Sequence, residues 1–108
     1  MAEFKEGIVD DLFGNKIAIS SERWKHILEQ HPEMQHHFEN IKKTLNEPDV
    51  IKLSSLDKSV RMYYRFFSSV FGGKYILAVV KMNKRNFLVT AYVTDYIKTG
   101  DEIWKRRS

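Results

Sequence analysis

The sequence contains no cysteine among its 108 residues. This absence excludes disulfide bonds, zinc sites built on thiolates and a cysteine nucleophile, and it fits a reducing compartment. No apolar run approaches the roughly 20 residues that a membrane-spanning helix needs. The charged N-terminus also lacks the apolar core of a signal peptide. We therefore expect a soluble, cytoplasmic protein that does not bind membranes.

The chain has no internal repeat and no low-complexity tract either. Its length fits one domain, predicted to span residues 1–108, and a hydrophobic content of 43% is enough to build a core. The net charge of +4 suits a polyanionic partner such as nucleic acid, but mildly basic small proteins are common. Charge alone therefore leaves the partner open.

Two short helices are predicted after an N-terminal β-ribbon that runs from Glu6 to Ser20. Ser20 or Ser21 can cap the first helix, and an apolar stripe at helical spacing follows. Pro32 disfavours a helical residue before it and can itself begin a helix. The two helices are therefore expected to meet at an angle at His31.

After residue 49 the pattern changes to segments rich in β-branched and aromatic residues, which is typical of strands. Short loops separate the long segments, so neighbouring strands should be antiparallel. We predict an α+β fold in which the ribbon and the two helices pack on one face of a four-stranded antiparallel sheet. The predicted strands are Val50–Leu53, Val60–Phe67, Tyr75–Met82 and Phe87–Val93.

Alternate residues of a strand share a face, and this rule predicts which side chains lie away from the helices. Two apolar sets should lie under the helices. They are Phe87, Val89, Ala91 and Val93 in the last long strand, and Val60, Met62, Tyr64 and Phe66 in the first. The opposite face suits a phosphate backbone and stacked bases, although an ordinary solvated face would also accept these residues. Its predicted members are Arg61, Tyr63, Arg65, Lys81, Thr90 and Tyr92.

The four histidines cluster between His26 and His37. His26 and His31 are five residues apart, unlike the i, i+4 pair of a zinc-binding helix, and neither a metal nor a cofactor is predicted. Histidine can transfer protons near neutral pH, so either residue could act in RNA cleavage while arginine and lysine stabilise charge. The alternatives are a half-buried structural His26 and a His31 that only ends the helix.

Several short motifs follow one another along the chain. They are Glu22-Arg23-Trp24-Lys25-His26-Ile27, His31-Pro32-Glu33, Pro48-Asp49-Val50-Ile51, Tyr64-Arg65-Phe66, Lys74–Lys81, Leu88-Val89-Thr90-Ala91-Tyr92 and Ile103-Trp104. Together they resemble the phage- and bacteria-borne branch of the barnase–EndoU–colicin–RelE-like nuclease superfamily, over roughly Ile17 to Lys105. The resemblance implies a metal-independent ribonuclease fold with its site on the sheet.

The resemblance also implies which residues carry the activity. It points to His26, His31, Arg65, Thr90 and Tyr92 as catalytic residues, with Lys74 and Lys81 as supporting cations. The strand alternation adds Arg61 and Tyr63 to the substrate-binding set. If the first helix cannot bring His26 to the open face, His31 at the helix junction is the better acid–base candidate.

We therefore expect a metal-independent endoribonuclease that cleaves RNA by attack of the 2′-hydroxyl on the adjacent phosphate. A free-standing small ribonuclease normally needs an inhibitor in its own cell, so a toxin with a cognate antitoxin is a further hypothesis. The alternatives are a non-catalytic RNA-binding module and a protein-interaction domain that docks through Trp104 or the ribbon. The sequence does not indicate an oligomeric state.

Overall fold

A computed structural model describes residues 7–107 as two α-helices layered on one face of a seven-stranded sheet. The strands are β1 (Gly7–Asp10), β2 (Lys16–Ile19), β3 (Val50–Leu53), β4 (Val60–Phe67), β5 (Lys74–Lys81), β6 (Asn86–Thr94) and β7 (Asp101–Lys105). Their order in the sheet is β1-β2-β6-β5-β4-β3-β7. Glu6, the predicted start of the ribbon, lies outside the described residues. The α+β class is confirmed.

The sheet is larger than predicted, and it is mixed rather than antiparallel. The four predicted strands form its antiparallel centre. The ribbon of β1 and β2 does not pack on this sheet but extends it, because Ile17 and Ala18 pair in parallel with Asn86 and Phe87. The C-terminal tail adds β7 beside β3. These pairings join residues far apart in the chain, so local sequence patterns do not reveal them.

The helical segments are α1 (Ser21–Gln30), a 3₁₀ turn (Pro32–His36) and α2 (Phe38–Asn46). The Ser20 hydroxyl caps α1 by accepting a hydrogen bond from the Arg23 N–H at 3.0 Å, an interaction worth about 1 kcal/mol. The predicted break at His31 is confirmed, although Pro32 begins a 3₁₀ turn and α2 starts only at Phe38. No helix of the described chain is long and apolar enough to cross a bilayer.

The main core lies between the helices and the sheet, and a smaller apolar cluster lies on the opposite face, which we call the open face. Each large apolar side chain buried in these clusters stabilises the fold by about 1.5–3 kcal/mol. The helices contribute Trp24, Ile27, Met34, Ile41 and Leu45 to the main core. The open-face cluster consists of Met62, Tyr64 and Leu77, with Tyr75, Val79, Tyr92 and Ile97 packed against it.

The predicted face of β4 is wrong. Residues directly opposite each other in a ladder share a face, and Arg61, Tyr63 and Arg65 pair with residues of β5 that belong to the main core. These three side chains therefore lie on the helix side, and Met62 and Tyr64 lie on the open face. The prediction assumed that the apolar side chains of β4 face the helices. It failed because side chains of β4 are buried on both faces, in the main core and in the open-face cluster.

β6 departs from simple alternation because it contains a bulge. Val79 pairs with Thr90, whereas Val80 pairs with Leu88, so Val89 is an extra residue on β6. An extra residue reverses the alternation on one side of the bulge relative to the other. The predicted apolar set of β6 is therefore divided between the two faces.

The bulge explains where the sequence-based faces of β6 hold and where they fail. Before it, Leu88 is fully buried in the main core, while Phe87 is 37% exposed on the open face, the reverse of the prediction. After it, Thr90 and Tyr92 lie on the open face as predicted.

Candidate active site

The junction between α1 and the 3₁₀ turn lies beside an unpaired edge of β6. Within residues 7–107, β2 pairs with β6 only at Asn86 and Phe87, which leaves the rest of this edge without a neighbouring strand. The α1 helix and the 3₁₀ turn both contact β6. A side chain at the junction can therefore pass around the edge from the helix layer to the open face.

His31 does so. It is the C-cap of α1, and its backbone N–H donates to the Ile27 carbonyl at 2.7 Å. Its imidazole stacks on the ring of Tyr92, with the ring centroids 4.9 Å apart and 23° between the planes. The Nδ1 atom of His31 lies 3.8 Å from a carboxylate oxygen of Glu33, and both side chains are about one-third exposed. One acidic group therefore adjoins one ring nitrogen, and solvent can reach the imidazole.

The segment between β6 and β7 brings a cation to the same place. The Nζ of Lys98 donates a hydrogen bond to the phenol oxygen of Tyr92 at 2.8 Å. This hydrogen bond raises the pKa of Lys98 above its usual value, so the side chain stays charged at neutral pH. The backbone N–H of Lys98 donates to the phenol oxygen of Tyr64 at 3.1 Å, and burial raises the pKa of Tyr64. We call His31, Glu33, Tyr92 and Lys98 the open-face site.

The backbone around Lys98 is held closely against the sheet. Ile97 packs against the open-face cluster. A Cβ atom at Gly100 would clash with the Leu53 carbonyl oxygen, so only glycine allows this approach. Lys98 is thus positioned by contacts on both sides of it in the chain.

Thr90 lies on the open face two residues before Tyr92. Its hydroxyl oxygen is buried and has no hydrogen-bond partner within the described residues. Buried polar atoms are usually hydrogen-bonded, so this hydroxyl keeps an unused donor. Because this oxygen is buried, a substrate cannot reach it in the described conformation.

His26 is not brought to the sheet. Its side chain is 53% exposed on the outer surface of α1, with its Nδ1 atom 3.8 Å from Glu29. It lines a groove of about 370 Å³ made by Ser20 and by α1 residues as far as Glu29. The structure therefore separates the two candidate histidines and brings only His31 to Tyr92.

Arg61 and Tyr63 belong to a buried polar network on the helix side. Its centre is Asp11, whose carboxylate accepts hydrogen bonds from the backbone N–H groups of Phe13 and Asn15 and from the Tyr63 hydroxyl at 2.5 Å. A carboxylate oxygen of Asp11 lies 3.8 Å from Nη1 of Arg61. Burial and the Asp11 carboxylate raise the pKa of Tyr63. These contacts fix the turn between β1 and β2 to the centre of the sheet.

Arg65 stabilises the end of α2. Its Nη1 donates to the Glu47 carbonyl at 2.6 Å, and its guanidinium lies over the Phe67 ring at 5.5 Å. Arg106 donates to the same carbonyl at 3.0 Å. Cations at a helix C-terminus satisfy its free carbonyl groups and offset the negative end of the macrodipole.

The two lysines predicted to support catalysis also have protein partners. Lys74 forms an ion pair with Asp95. The Nζ of Lys81 donates to a carboxylate oxygen of Asp57 at 2.7 Å and to the Ser59 hydroxyl at 2.5 Å. The hydrogen bond from Lys81 holds the pKa of Asp57 well below its usual range. Neither lysine adjoins the open-face site through a contact in the described structure.

Sequence reasoning missed two members of the open-face site, Glu33 and Lys98. Glu33 appeared only within a motif, and Lys98 belongs to a loop whose position depends on its contact with the Tyr64 hydroxyl. Nothing in the local sequence marks either residue as a neighbour of Tyr92. Among residues 7–107, no three His, Asp or Glu side chains come together as a metal site.

The chain matches the family described as phage-Barnase-EndoU-ColicinE5/D-RelE like nuclease 2 over residues 2–108. The match covers nearly the full sequence, and it confirms the resemblance drawn from the short motifs. None of the curated proteins and none of the solved structures compared with the chain matches it significantly.

Proposed function

Because the chain belongs to this family of nucleases, we propose that it is a metal-independent endoribonuclease whose reaction takes place at the open-face site. The observation that supports this best is the stacking of His31 on Tyr92 beside the Nζ of Lys98. A titratable imidazole, a phenol and a fixed cation then meet at one exposed place. These are groups that can transfer protons and stabilise a charged phosphorus centre.

His31 is the proposed general base. It accepts the proton of the ribose 2′-hydroxyl, and the 2′-oxygen forms a bond to the adjacent phosphorus. Because Glu33 adjoins Nδ1, the Nε2 atom is the nitrogen assigned to this transfer. The pentacovalent phosphorane gains negative charge, which the ammonium group of Lys98 stabilises.

Tyr92 is the proposed general acid. Its oxygen accepts the hydrogen bond of Lys98, so its own O–H remains available to a substrate. As the bond from phosphorus to the 5′-oxygen breaks, Tyr92 donates its proton to that oxygen, and the nearby ammonium stabilises the phenolate. The products are a 2′,3′-cyclic phosphate and a free 5′-hydroxyl. Each proton-transfer group is typically worth about 10²–10⁴ in rate.

The other residues predicted from the sequence take supporting parts in this proposal. Thr90 can position a phosphate after rotation of its side chain. Arg61, Tyr63, Arg65, Lys74 and Lys81 maintain the sheet and loops through the contacts described above. A toxin role with a cognate antitoxin belongs to the same proposal, since uncontrolled RNA cleavage harms the host cell.

The test is incubation of purified protein with total RNA in excess EDTA, with His31→Ala and His26→Ala variants in parallel. Wild type and His26→Ala should leave 2′,3′-cyclic phosphate ends, whereas His31→Ala should lose about 10²–10⁴ in rate. Equal cleavage by the His31→Ala protein, with its fold intact, would overturn the assignment of the base. Intact RNA with wild type would favour the non-catalytic RNA-binding module instead.

A further inference from the structure

A second polar surface lies at the other end of β6, where its preceding loop meets the β1–β2 ribbon. Two grooves there, of about 560 and 410 Å³, share Ile8, Ala18 and Arg85 in their linings. The larger groove is also lined by Lys16 and Lys84. We call this pair of grooves the ribbon groove.

The ribbon groove lies on the open face, the same face as His31 and Tyr92. Ile8 pairs with Ala18, and Ala18 pairs with Phe87, so these three side chains share one face of the sheet. Val9 and Ile17 beside them face the main core, which identifies the shared face as the open one. Ile8 is 66% exposed and Phe87 is 37% exposed.

Two of the cations that line the ribbon groove, Lys84 and Arg85, have no acidic partner in the described structure. Lys84 and Arg85 are exposed, and neither side chain makes an ion pair or hydrogen bond among residues 7–107. Lys16 pairs with Asp10 at 2.7 Å, but no residue lining the two grooves is acidic. By contrast, Arg61, Lys74 and Lys81 each adjoin a carboxylate. Unneutralised cations beside an exposed aromatic ring suit a strand of phosphates and bases.

We propose that the ribbon groove is a second RNA subsite, which binds phosphates of the single strand a few nucleotides away from the open-face site. This inference rests on the proposed function. Phe87 and Tyr92 lie on one strand and on one face, five residues apart, a separation of about 16 Å. Arg85 and Lys84 bind the phosphates, and Phe87 offers its ring to a base. The exposed ring and the shared face favour RNA over an acidic peptide as the occupant.

The test compares two double variants in a His31→Ala background, which prevents cleavage. The Lys84→Ala/Arg85→Ala protein removes the two free cations of the groove. The Lys25→Ala/Lys43→Ala protein removes two exposed lysines from the helix side and serves as the matched control. Binding of a labelled single-stranded RNA is measured by fluorescence anisotropy over a series of salt concentrations, beside RNA cleavage by the protein that retains His31.

For the groove variant, the slope of the logarithm of the association constant against the logarithm of the salt concentration should become less negative by about 1.4, since each phosphate contact to a single strand contributes about −0.7. At 0.1 M salt this corresponds to affinity about 25-fold weaker, if the affinities converge at 1 M. The control should match the parent. A groove variant that equals the control overturns the subsite, leaves the proposed function standing, and points to another polyanion such as an acidic peptide.

Two further outcomes separate this inference from the proposed function. If RNA binds through Lys84 and Arg85 but the protein that retains His31 does not cleave it, the subsite is supported and the nuclease assignment is overturned. If the parent protein does not bind RNA at all, the subsite and the proposed function are both overturned.

Discussion

The imidazole of His31 and the phenol ring of Tyr92 are stacked, with their centroids 4.9 Å apart, although one residue ends a helix and the other lies on the far face of the sheet. The contact exists because β6 has an unpaired edge at this point, around which the helix junction can reach. It joins an imidazole from the helix layer to a phenol and a lysine from the open face.

Substitutions should distinguish the role of the Tyr92 hydroxyl from that of its ring. Tyr92→Phe keeps the stacking ring but removes the proposed proton donor, so the rate of RNA cleavage should fall by about 10²–10⁴ with little change in KM. Tyr92→Leu also removes the stacking surface, so His31 loses its position and cleavage should fall further. Single-turnover cleavage of one RNA by both variants measures the difference. A Tyr92→Phe protein with the wild-type rate would exclude the phenol as the acid.

Lys98 should act as a cation whose charge does not change over the working pH range. Its hydrogen bond to Tyr92 raises its pKa, so the ammonium form persists to a pH above that of a free lysine. Lys98→Ala should cost about 10²–10³ in rate, as for loss of one group that stabilises transition-state charge. Lys98→Arg should retain most of the activity. The ratio of wild-type to Lys98→Ala rates should stay constant from pH 6 to about pH 9, below the usual lysine pKa. A ratio that falls toward one within this range would contradict the role.

Arg65 should matter for stability more than for cleavage. Arg65→Ala removes one of the two donors to the Glu47 carbonyl at the end of α2. Because Arg106 still donates to this carbonyl, the expected loss is about 0.5–1.5 kcal/mol, the usual net contribution of a hydrogen bond. Urea denaturation should show a loss of that size, while kcat of the folded protein stays near the wild-type value. A fully stable Arg65→Ala protein without cleavage activity would instead support the catalytic role that the family resemblance implies for Arg65.

Stability should decrease at alkaline pH because of Tyr63. Its pKa is raised in the folded protein by burial and by Asp11, so above the unfolded value of about 10 the folded state holds a proton that the unfolded state has lost. The stabilisation that protonated Tyr63 contributes is complete below the unfolded pKa of about 10. It is lost as the pH rises from there toward the pKa of Tyr63 in the folded protein. Thermal unfolding followed from pH 7 to about pH 11 should show this decline.

Tyr63→Phe removes the titrating group and so isolates its contribution. At neutral pH it should cost about 1.5–3 kcal/mol, because the Asp11 carboxylate loses a donor. Its melting temperature should then decline less steeply with pH than that of the wild type. Tyr96→Phe, at a tyrosine that is 65% exposed, is the control and should follow the wild type. Parallel pH curves for Tyr63→Phe and wild type would refute the coupling.

The elements that depend on local sequence were predictable before the fold was known. A serine N-cap, an apolar stripe at helical spacing and Pro32 placed α1 and its end at His31, and the confirmed break there is a backbone property of the residue before proline. The four central strands followed from β-branched and aromatic composition and from short loops. The ordered motifs also led to the nuclease family, which the match over residues 2–108 confirmed.

The faces on which several side chains lie, and the contacts between distant residues, depend on the folded chain and were not predictable from local patterns. Arg61, Tyr63 and Arg65 are polar, but they lie on the helix side of the sheet. There the Tyr63 hydroxyl donates to Asp11, Arg61 lies near the same carboxylate, and Arg65 donates to the Glu47 carbonyl, and these partners are distant in sequence. The bulge at Val89 reversed the faces of Phe87 and Leu88, and no composition rule marks that extra residue. Lys98 donates a hydrogen bond to Tyr92 from a loop whose backbone is hydrogen-bonded to the Tyr64 hydroxyl. Local patterns record the preferences of single segments, whereas burial of a polar group depends on partners that only the folded chain brings near.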